Sequence, residues 1–252
     1  MKEGLSDFLI VRIVAPLKPL NLLAKIYVMS ILVPTTKHLP TVLPLIPLHG
    51  AILMPRAALP IPISESDYLT LIGNVPREHA YIGVVQPLFD HNKMNGEASA
   101  SLFKIGCAGR IVDVIEPEEG QFIITLFGEC RFDLIEEIEY EHAYRTATVD
   151  YERYSIDLVD EIDFTLDRTR LMHALKPYFK IVEITPNWDE IQRISNEKLI
   201  TALTMVCPLQ ANEKQAILET PSLQEQSTML QALIEHAVIE RVYNNGYSEY
   251  VH

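Results

Sequence analysis

Residues 109–127 read Gly109-Arg-Ile-Val-Asp-Val-Ile115, then Glu116-Pro-Glu-Glu-Gly120, then Gln121-Phe-Ile-Ile-Thr-Leu-Phe127. Two runs rich in β-branched and aromatic residues flank a five-residue Pro/Gly turn, which is the pattern of a β-hairpin. The same texture extends outward from Leu43 to about Glu152. Leu59-Pro-Ile-Pro-Ile63 alternates apolar residues with prolines, as an edge strand does when its missing donors face away from the ladder. Ala80 to Val85 is a short Ile/Val/Tyr run, and a further strand pair is expected at Cys130–Glu139 and Tyr144–Tyr151. Several short strands at this spacing predict a small closed or half-closed barrel. One helix interrupts them: Ser64-Glu-Ser-Asp67 is a variant capping box leading into Tyr68, Leu69 and Ile72.

After Tyr154 the period changes. Leu158, Ile162 and Leu166, then Leu171, Leu175 and Phe179, recur at helical spacing. Asn187-Trp-Asp-Glu190 caps a second helix expected to run through Ile191, Ile194, Leu199 and Leu203 and to stop near Pro208. A short helix follows over Ala211–Glu219. Ser222 with Glu225 forms a regular capping box for a last helix through Met229, Leu230, Leu233, Ile234, Ala237 and Val238. Asn244-Asn-Gly246 onward reads as an unstructured tail. The expected organisation is an N-terminal extension over 1–40, a β-rich part over 41–154, a helical part over 155–242 and a tail over 243–252. No Gly/Ser linker separates the two halves, so they are expected to pack together as an α+β fold.

The 252 residues carry a net charge of -13, unevenly spread. Residues 1–40 hold five basic and two acidic side chains, residues 41–152 seven and seventeen, and residues 153–252 nine and fifteen. An acidic body repels a phosphate backbone, so no nucleic-acid partner is expected. Cys107, Cys130 and Cys207 are odd in number and far apart, with no C-x-x-C or Cys/His ligand spacing, which suits reduced thiols in a cytoplasmic protein and predicts no zinc site. In the N-terminal segment the longest stretch without charge, Ile26 to Thr36, has eleven residues, short of the ~20 that span a bilayer. Residues 1–28 read as a start-site extension ahead of Met29, as an amphipathic arm, or as a targeting segment.

Catalytic signatures are absent from the sequence. No G-x-x-x-x-G-K-[ST] or G-x-G-x-x-G loop exists to cradle phosphates, no G-x-S-x-G elbow and no H-E-x-x-H zinc pair. The eight histidines are scattered. Glu136, Glu137, Glu139 and Glu141 could hold a hard cation only with Gly and Asn/Asp loop ligands that are missing, so they read as a solvated strand face. No cofactor and no metal are expected. What remains is apolar surface: Ile52, Leu53 and Met54, in a loop between two proline-rich strands, are candidates for an adaptable peptide-binding groove. The alternative is that they fill the barrel.

Five pieces in order resemble one family. Leu43-Pro-Leu-Ile-Pro-Leu-His-Gly-Ala-Ile-Leu-Met-Pro55 is similar to the opening strand and turn of LON substrate-binding domains, and Leu59-Pro-Ile-Pro-Ile63 to their next strand. Ile105-Gly-Cys-Ala-Gly-Arg-Ile-Val112 resembles a GCxGRI strand, Gly128-Glu-Cys-Arg-Phe132 a GxxRF turn, and Asn212-Glu-Lys-Gln-Ala-Ile-Leu-Glu-Thr-Pro221 the EKQALLEAPD helix of small bacterial members. The resemblance runs from Leu43 to about Val242 and implies a PUA-like pseudo-barrel followed by a helical bundle. It also implies recognition of unfolded or tagged polypeptides by a stand-alone module without ATPase or peptidase. It adds Glu65 and Tyr68, kept from the family's FEPRY, to the candidate binding residues. Two departures stand out. The family's Pro-Gly turn reads Pro55-Arg56, which removes glycine's access to positive φ, and Asp67 replaces the basic residue of FEPRY. The competing readings are an RNA-binding protein of PUA-like fold, whose only basic residues near the central strands would be Arg110 and Arg131, and an enzyme whose site forms by tertiary contact.

Overall fold

The computed structural model describes residues 39–64, 66, 81–88, 101–118, 120–138, 144–159 and 164–248. The chain divides into two compact units, Met1–Asp160 and Glu161–His252. The first holds strands β1 (Val42–Pro47), β2 (Ala58–Ser64), β3 (Tyr81–Val85), β4 (Ile105–Glu118), β5 (Gln121–Ile138) and β6 (Arg145–Asp150). Their order is β2-β5-β4-β3-β1-β6, and an added β5–β6 pairing joins the far end back to β5. Five strands therefore close a barrel, and β2 lies outside the ring against the first half of β5. β1 and β3 run parallel; the other pairs are antiparallel.

The hairpin expected around residues 116–120 is present, with Ile115 opposite Ile123 and Glu118 opposite Gln121. Gly120 takes φ 76°, a conformation that favours glycine in such a turn. The strand expected over 130–139 is not separate but the second half of the 18-residue β5. That length lets one strand do two jobs: residues 121–127 pair with β2, and residues 133–138 pair with β6. Bulges in the β4–β5 ladder, between Ala108 and Gly109 and between Ile111 and Asp113, supply the bending that closure requires. Among the described residues β2 pairs only with β5, so the edge position expected from its prolines is found. Pro60 and Pro62 cannot donate, which leaves the ladder to Leu59, Ile61 and Ile63 and turns the donor-free side outward.

Phe132 fills the barrel and is fully buried. It meets Tyr151 edge-on, with ring centroids 6.4 Å apart. Two glycines make room for its ring. A Cβ on Gly106 would lie 2.5 Å from Phe132 Cζ and 2.6 Å from the Val84 carbonyl oxygen, and one on Gly83 would lie 3.1 Å from Phe132 Cζ. The boundary expected at 154/155 falls inside a 3-10 helix, Glu152–Leu158, whose Tyr154, Asp157 and Leu158 are buried.

The second unit contains α1 (Arg168–Ile181), α2 (Trp188–Arg193), α3 (Asn196–Val206), α4 (Ala211–Glu219) and α5 (Leu223–Ser248). Its core is built from Leu171, Leu175, Phe179, Leu199, Ile200, Leu230 and Ile234. Three expectations need correction. Of the residues Leu158, Ile162 and Leu166, Leu158 ends the 3-10 helix, Ile162 lies outside the described residues, and Leu166 stands in the non-helical stretch 164–167, where Asp167 caps α1, accepting from Arg170 N–H. The single helix from Asn187 to Leu203 is two, because Ser195 accepts from Lys198 N–H and opens α3 anew. The tail is helical to Ser248, across Asn244-Asn-Gly246. The helix over Ala211–Glu219 and the Ser222/Glu225 box are as expected, with Glu225 N–H donating to Ser222 Oγ at 3.2 Å. The helix expected after Ser64 falls almost wholly outside the described residues. Among those described, no helix is long and apolar enough to cross a membrane.

Candidate functional site

The loop that carries Ile52, Leu53 and Met54 lies between β1 and β2, and the structure sends all three side chains inward, at 2%, 0% and 1% exposure. A groove lining must face solvent, so these residues offer no such surface in this conformation; they fill the barrel, the alternative that the sequence left open. Leu53 sits against Gly109, where an added Cβ would come within 2.6 Å of its Cδ2. Glu65 and Tyr68 lie outside the described residues.

The turn after this loop is where the chain departs from the LON pattern, and its backbone does what the missing glycine would do. Arg56 takes φ 59°, so the turn reaches positive φ without a glycine. A non-glycine residue there costs roughly 1 kcal/mol, and the surroundings hold it in place. Arg56 N–H donates to the Gly128 carbonyl at 2.7 Å, and Gly128 N–H donates to the Ala57 carbonyl at 2.8 Å. Gly128 has no room for a side chain, because a Cβ would overlap the Met54 carbonyl. The Arg56 guanidinium donates from Nη1 to the carbonyls of Asp157 (2.8 Å) and Val159 (2.7 Å), which terminate the 3-10 helix.

Asp157 is also the centre of the buried charge cluster. Its carboxylate accepts from Arg131 N–H at 3.0 Å, Nε at 2.8 Å and Nη2 at 2.7 Å. The Arg131 guanidinium lies over the Tyr154 ring, 4.8 Å from its centroid. With its charge spent in this way, Arg131 has nothing to present to a phosphate. Arg110, the other basic residue of the central strands, is paired with Glu129 at 2.7 Å. The three buried thiols are poor nucleophiles. Burial pushes Cys130 and Cys207 up to about 12 and raises Cys107 well above its ordinary range. Among the described residues no group of His, Cys, Asp and Glu side chains could hold a metal ion. Of the acidic run, Glu136 and Glu137 are exposed and Glu137 is clasped by Arg145 at 2.7 Å; Glu139 and Glu141 are not among the described residues.

Among the described residues a partly exposed apolar surface is the outer face of the arm formed by β2, the first half of β5 and the end of β4. Cross-strand register sets side chains in rows. Leu59 and Leu126 with Ile111, and Ile61 and Ile124 with Val114, share one face, and Leu59, Leu126, Ile61 and Ile124 are buried. The opposite face carries Ala58, Phe127 and Arg110 in one row, Pro60, Thr125 and Asp113 in the next, and Pro62, Ile123 and Ile115 in the third. Ala58 and Pro62 are exposed, and Pro60, Phe127, Ile123 and Ile115 are half-buried. Six apolar residues of nine thus line an open sheet face. Sequence alternation pointed to two-sided strands here, but the rows depend on the bulge after Ile111, which has no sequence signal.

This barrel with its arm, followed by a helical unit, has counterparts. Residues 42–236 match the family described as the ATP-dependent protease La (LON) substrate-binding domain. The chain belongs to that family. The LON domain is 27% identical over 198 residues to the Lon protease of Flavobacterium johnsoniae, covering 76% of this chain and 23% of that protein. It is 24% identical over 208 residues to Lon protease 2 of Myxococcus xanthus, covering 79% and 24%. It thus matches about a quarter of the length of these curated relatives. Its fold is shared with the Lon N-terminal domain protein from Xanthomonas campestris (TM-score 0.52, 20% identity, 77% of this chain and 98% of that one). The N-terminal domain of the Mycobacterium avium complex Lon protease is similar (TM-score 0.52, 16% identity, 77% and 97%).

Most of the pieces that make this chain recognisable as a LON domain serve packing. Gly106 and Gly109 admit Phe132 and Leu53, Gly128 admits the Met54 carbonyl, and Arg131 holds Asp157. In the Glu213-Lys-Gln215 stretch, Glu213 accepts from Gln210 N–H at 2.8 Å. Buried Lys214 donates to the Met205 carbonyl at 2.9 Å, and Gln215 donates to Glu219 at 2.9 Å. The family signature is mainly a folding signature, and of the nine residues on the arm's outer face only Pro60, Pro62 and Arg110 belong to it.

Proposed function

We propose that this LON domain is a non-catalytic polypeptide-recognition module, acting as an adaptor or chaperone-like protein that holds unfolded or tagged chains on the outer face of the β2–β5–β4 arm. The observation that carries the reading is the partly exposed apolar face built from Pro60, Pro62, Ile123, Phe127 and Ile115. A face of this kind on a water-exposed sheet marks a contact surface, and membership of a substrate-binding family supplies the class of partner. The prolines of β2 suit the role: a guest can lie on the side chains while the donor-free edge discourages open-ended strand pairing between copies. Ile52, Leu53 and Met54 contribute from beneath, by fixing the loop that launches β2. Three reduced, buried thiols suit a cytoplasmic setting.

The test is binding of the full chain to a reduced, alkylated and therefore permanently unfolded model protein. Outward-facing Ile115→Glu and Ile123→Glu should weaken capture by at least about tenfold, since each places a charge where an apolar contact is lost, with the melting temperature little changed. Absence of capture by the parent chain would overturn the reading. Undiminished capture by the double variant would remove the arm as the site. Phosphate released from ATP, or new amino termini in the captured chain, would contradict the non-catalytic assignment.

A further inference from the structure

The helical unit carries a second open surface with a different chemistry. Thr169, Met172, His173 and Lys176 occupy one face of α1 at helical spacing, and Trp188 and Gln192 one face of α2. Together they line an open groove of about 540 Å³. Met172 and Trp188 are half-buried, and Thr169, His173, Lys176 and Gln192 are exposed. The groove is held in shape. The Trp188 ring packs 5.9 Å from that of Phe179. The Arg168 guanidinium ties the end of α2 to α1 by donating to the carbonyls of Ile191 (2.6 Å) and Ile194 (3.0 Å).

Its charge runs against that of the molecule. The chain has net charge -13, yet α1 carries Arg168, Arg170, Lys176 and Lys180 and no acidic residue, while Asp189, Glu190 and Arg193 of α2 lie outside the groove lining. Arg168 is spent on carbonyls, and Arg170 is paired with Glu235 at 2.8 Å. Lys176 faces the groove, and among the described residues no carboxylate pairs with it. Among the described residues no carboxylate lines the groove. Pro177, inside α1, has no N–H to give to the His173 carbonyl.

We propose that the α1–α2 groove binds acidic polypeptide segments that carry one large apolar side chain. The apolar side chain sits between Met172 and Trp188, flanking carboxylates meet Lys176, and Thr169, His173 and Gln192 take up backbone groups. An aromatic or long aliphatic side chain suits a Met/Trp floor. A single lysine on a strongly acidic chain does not suit a nucleic-acid backbone, which needs a basic stripe. The assignment takes its class of partner from the polypeptide-recognition reading but uses a different unit, so the two can fail separately.

Trp188 is the one tryptophan in the sequence, so intrinsic fluorescence reads this groove directly. The full chain is titrated with a short capped peptide holding one phenylalanine between glutamates. The controls are the same peptide with glutamines for the glutamates, one with lysines, one with alanine for the phenylalanine, and a single-stranded RNA. The expected result is a saturable change of Trp188 emission with the acidic peptide, weakened by salt and by either loss of charge or loss of the ring. Exposed Lys176→Glu should leave the melting temperature unchanged, weaken the acidic peptide about fivefold and shift preference toward the lysine peptide. No emission change, equal affinity for the acidic and lysine peptides, a Lys176→Glu variant with unaltered preference, or saturation by RNA in place of peptide would each overturn the proposal. Capture of the unfolded model protein through the arm is measured separately and stands or falls on its own.

Discussion

Arg131 gives three hydrogen bonds to one carboxylate, that of Asp157, across 26 residues of sequence and with both side chains buried. The pair joins the middle of β5 to the 3-10 helix that follows the barrel. A buried ion pair returns little net stability, because desolvating both charges costs nearly what their attraction gains, but breaking it leaves a charge with no partner. Asp157→Ala is therefore expected to cost about 3–5 kcal/mol, and the double variant Arg131→Met/Asp157→Leu less than that. Chemical denaturation of the two variants and the parent checks this. A double variant less stable than Asp157→Ala would show that the pair contributes more than the avoidance of an orphaned charge.

Arg56 presents a second balance of opposed effects. Its positive φ costs about 1 kcal/mol relative to glycine, while its guanidinium adds two charged hydrogen bonds to the Asp157 and Val159 carbonyls. Arg56→Ala keeps the strain and loses the bonds, and is expected to destabilise by about 2–3 kcal/mol. Arg56→Gly relieves the strain and should be the better tolerated by about 1 kcal/mol, yet still no more stable than the parent. If Arg56→Gly melts above the parent, the side chain contributes nothing and the turn simply tolerates an imperfect residue.

Much of this fold is legible in the sequence because its signals are local. Glu116-Pro-Glu-Glu-Gly120 marks a turn, Pro60 and Pro62 mark an edge, and Ser222 with Glu225 marks a helix start. The errors arise where a local pattern competes with tertiary context. Leu158 and Leu166 have helical spacing, but Leu158 closes a 3-10 helix whose Asp157 is drawn to Arg131, and Leu166 precedes the start of α1. The helix from Asn187 is cut at Ser195, whose hydroxyl caps a new start more favourably than it continues the old one. The candidate site was the least legible part. Ile52, Leu53 and Met54 are apolar loop residues, and no sequence pattern tells a loop that folds inward from one that faces water. The arm face needs the register of three strands and a bulge, and the α1–α2 groove needs the placement of one helix on another.

The glycines of the barrel allow a graded test of close packing. At Gly128 an added Cβ would overlap the backbone carbonyl of Met54, and at Gly106 it would meet the Val84 carbonyl oxygen at 2.6 Å. Neither backbone group can swing aside as a side chain does. At Gly50, which has φ 70°, nothing lies within 4 Å. Substitution by alanine should cost most at Gly128, above the ~1–3 kcal/mol usual for overpacking, with Gly106 inside that range. Gly50 should cost only about 1 kcal/mol, from φ alone. Melting temperatures of the three variants should fall in that order. Gly50→Ala as damaging as Gly106→Ala would mean that conformation rather than space governs these positions.

Alkaline pH should expose the buried thiols. The folded chain holds Cys130 and Cys207 up at about 12 and Cys107 well above its ordinary value, in each case mainly through burial, whereas the unfolded chain titrates them near 9. A folded pKa above the unfolded one means that the unfolded state releases its proton first as pH rises. The associated stability is thus complete below about pH 9 and is lost on the way up to the folded value, at about 1.4 kcal/mol per pH unit for each thiol. Buried Tyr178 adds to the same fall above pH 10, its hydroxyl being raised by burial. Lys214 works the other way. Burial lowers its ammonium below 10.5, so its contribution to stability rises with pH until the unfolded lysine is also neutral. Three thiols outweigh one lysine, and denaturation midpoints should drop between pH 9 and 10.5. Cys130→Ala should flatten that drop by about one thiol's share while costing little at pH 7. A variant whose midpoint falls as steeply as the parent's would mean that Cys130 is open to water in the folded state.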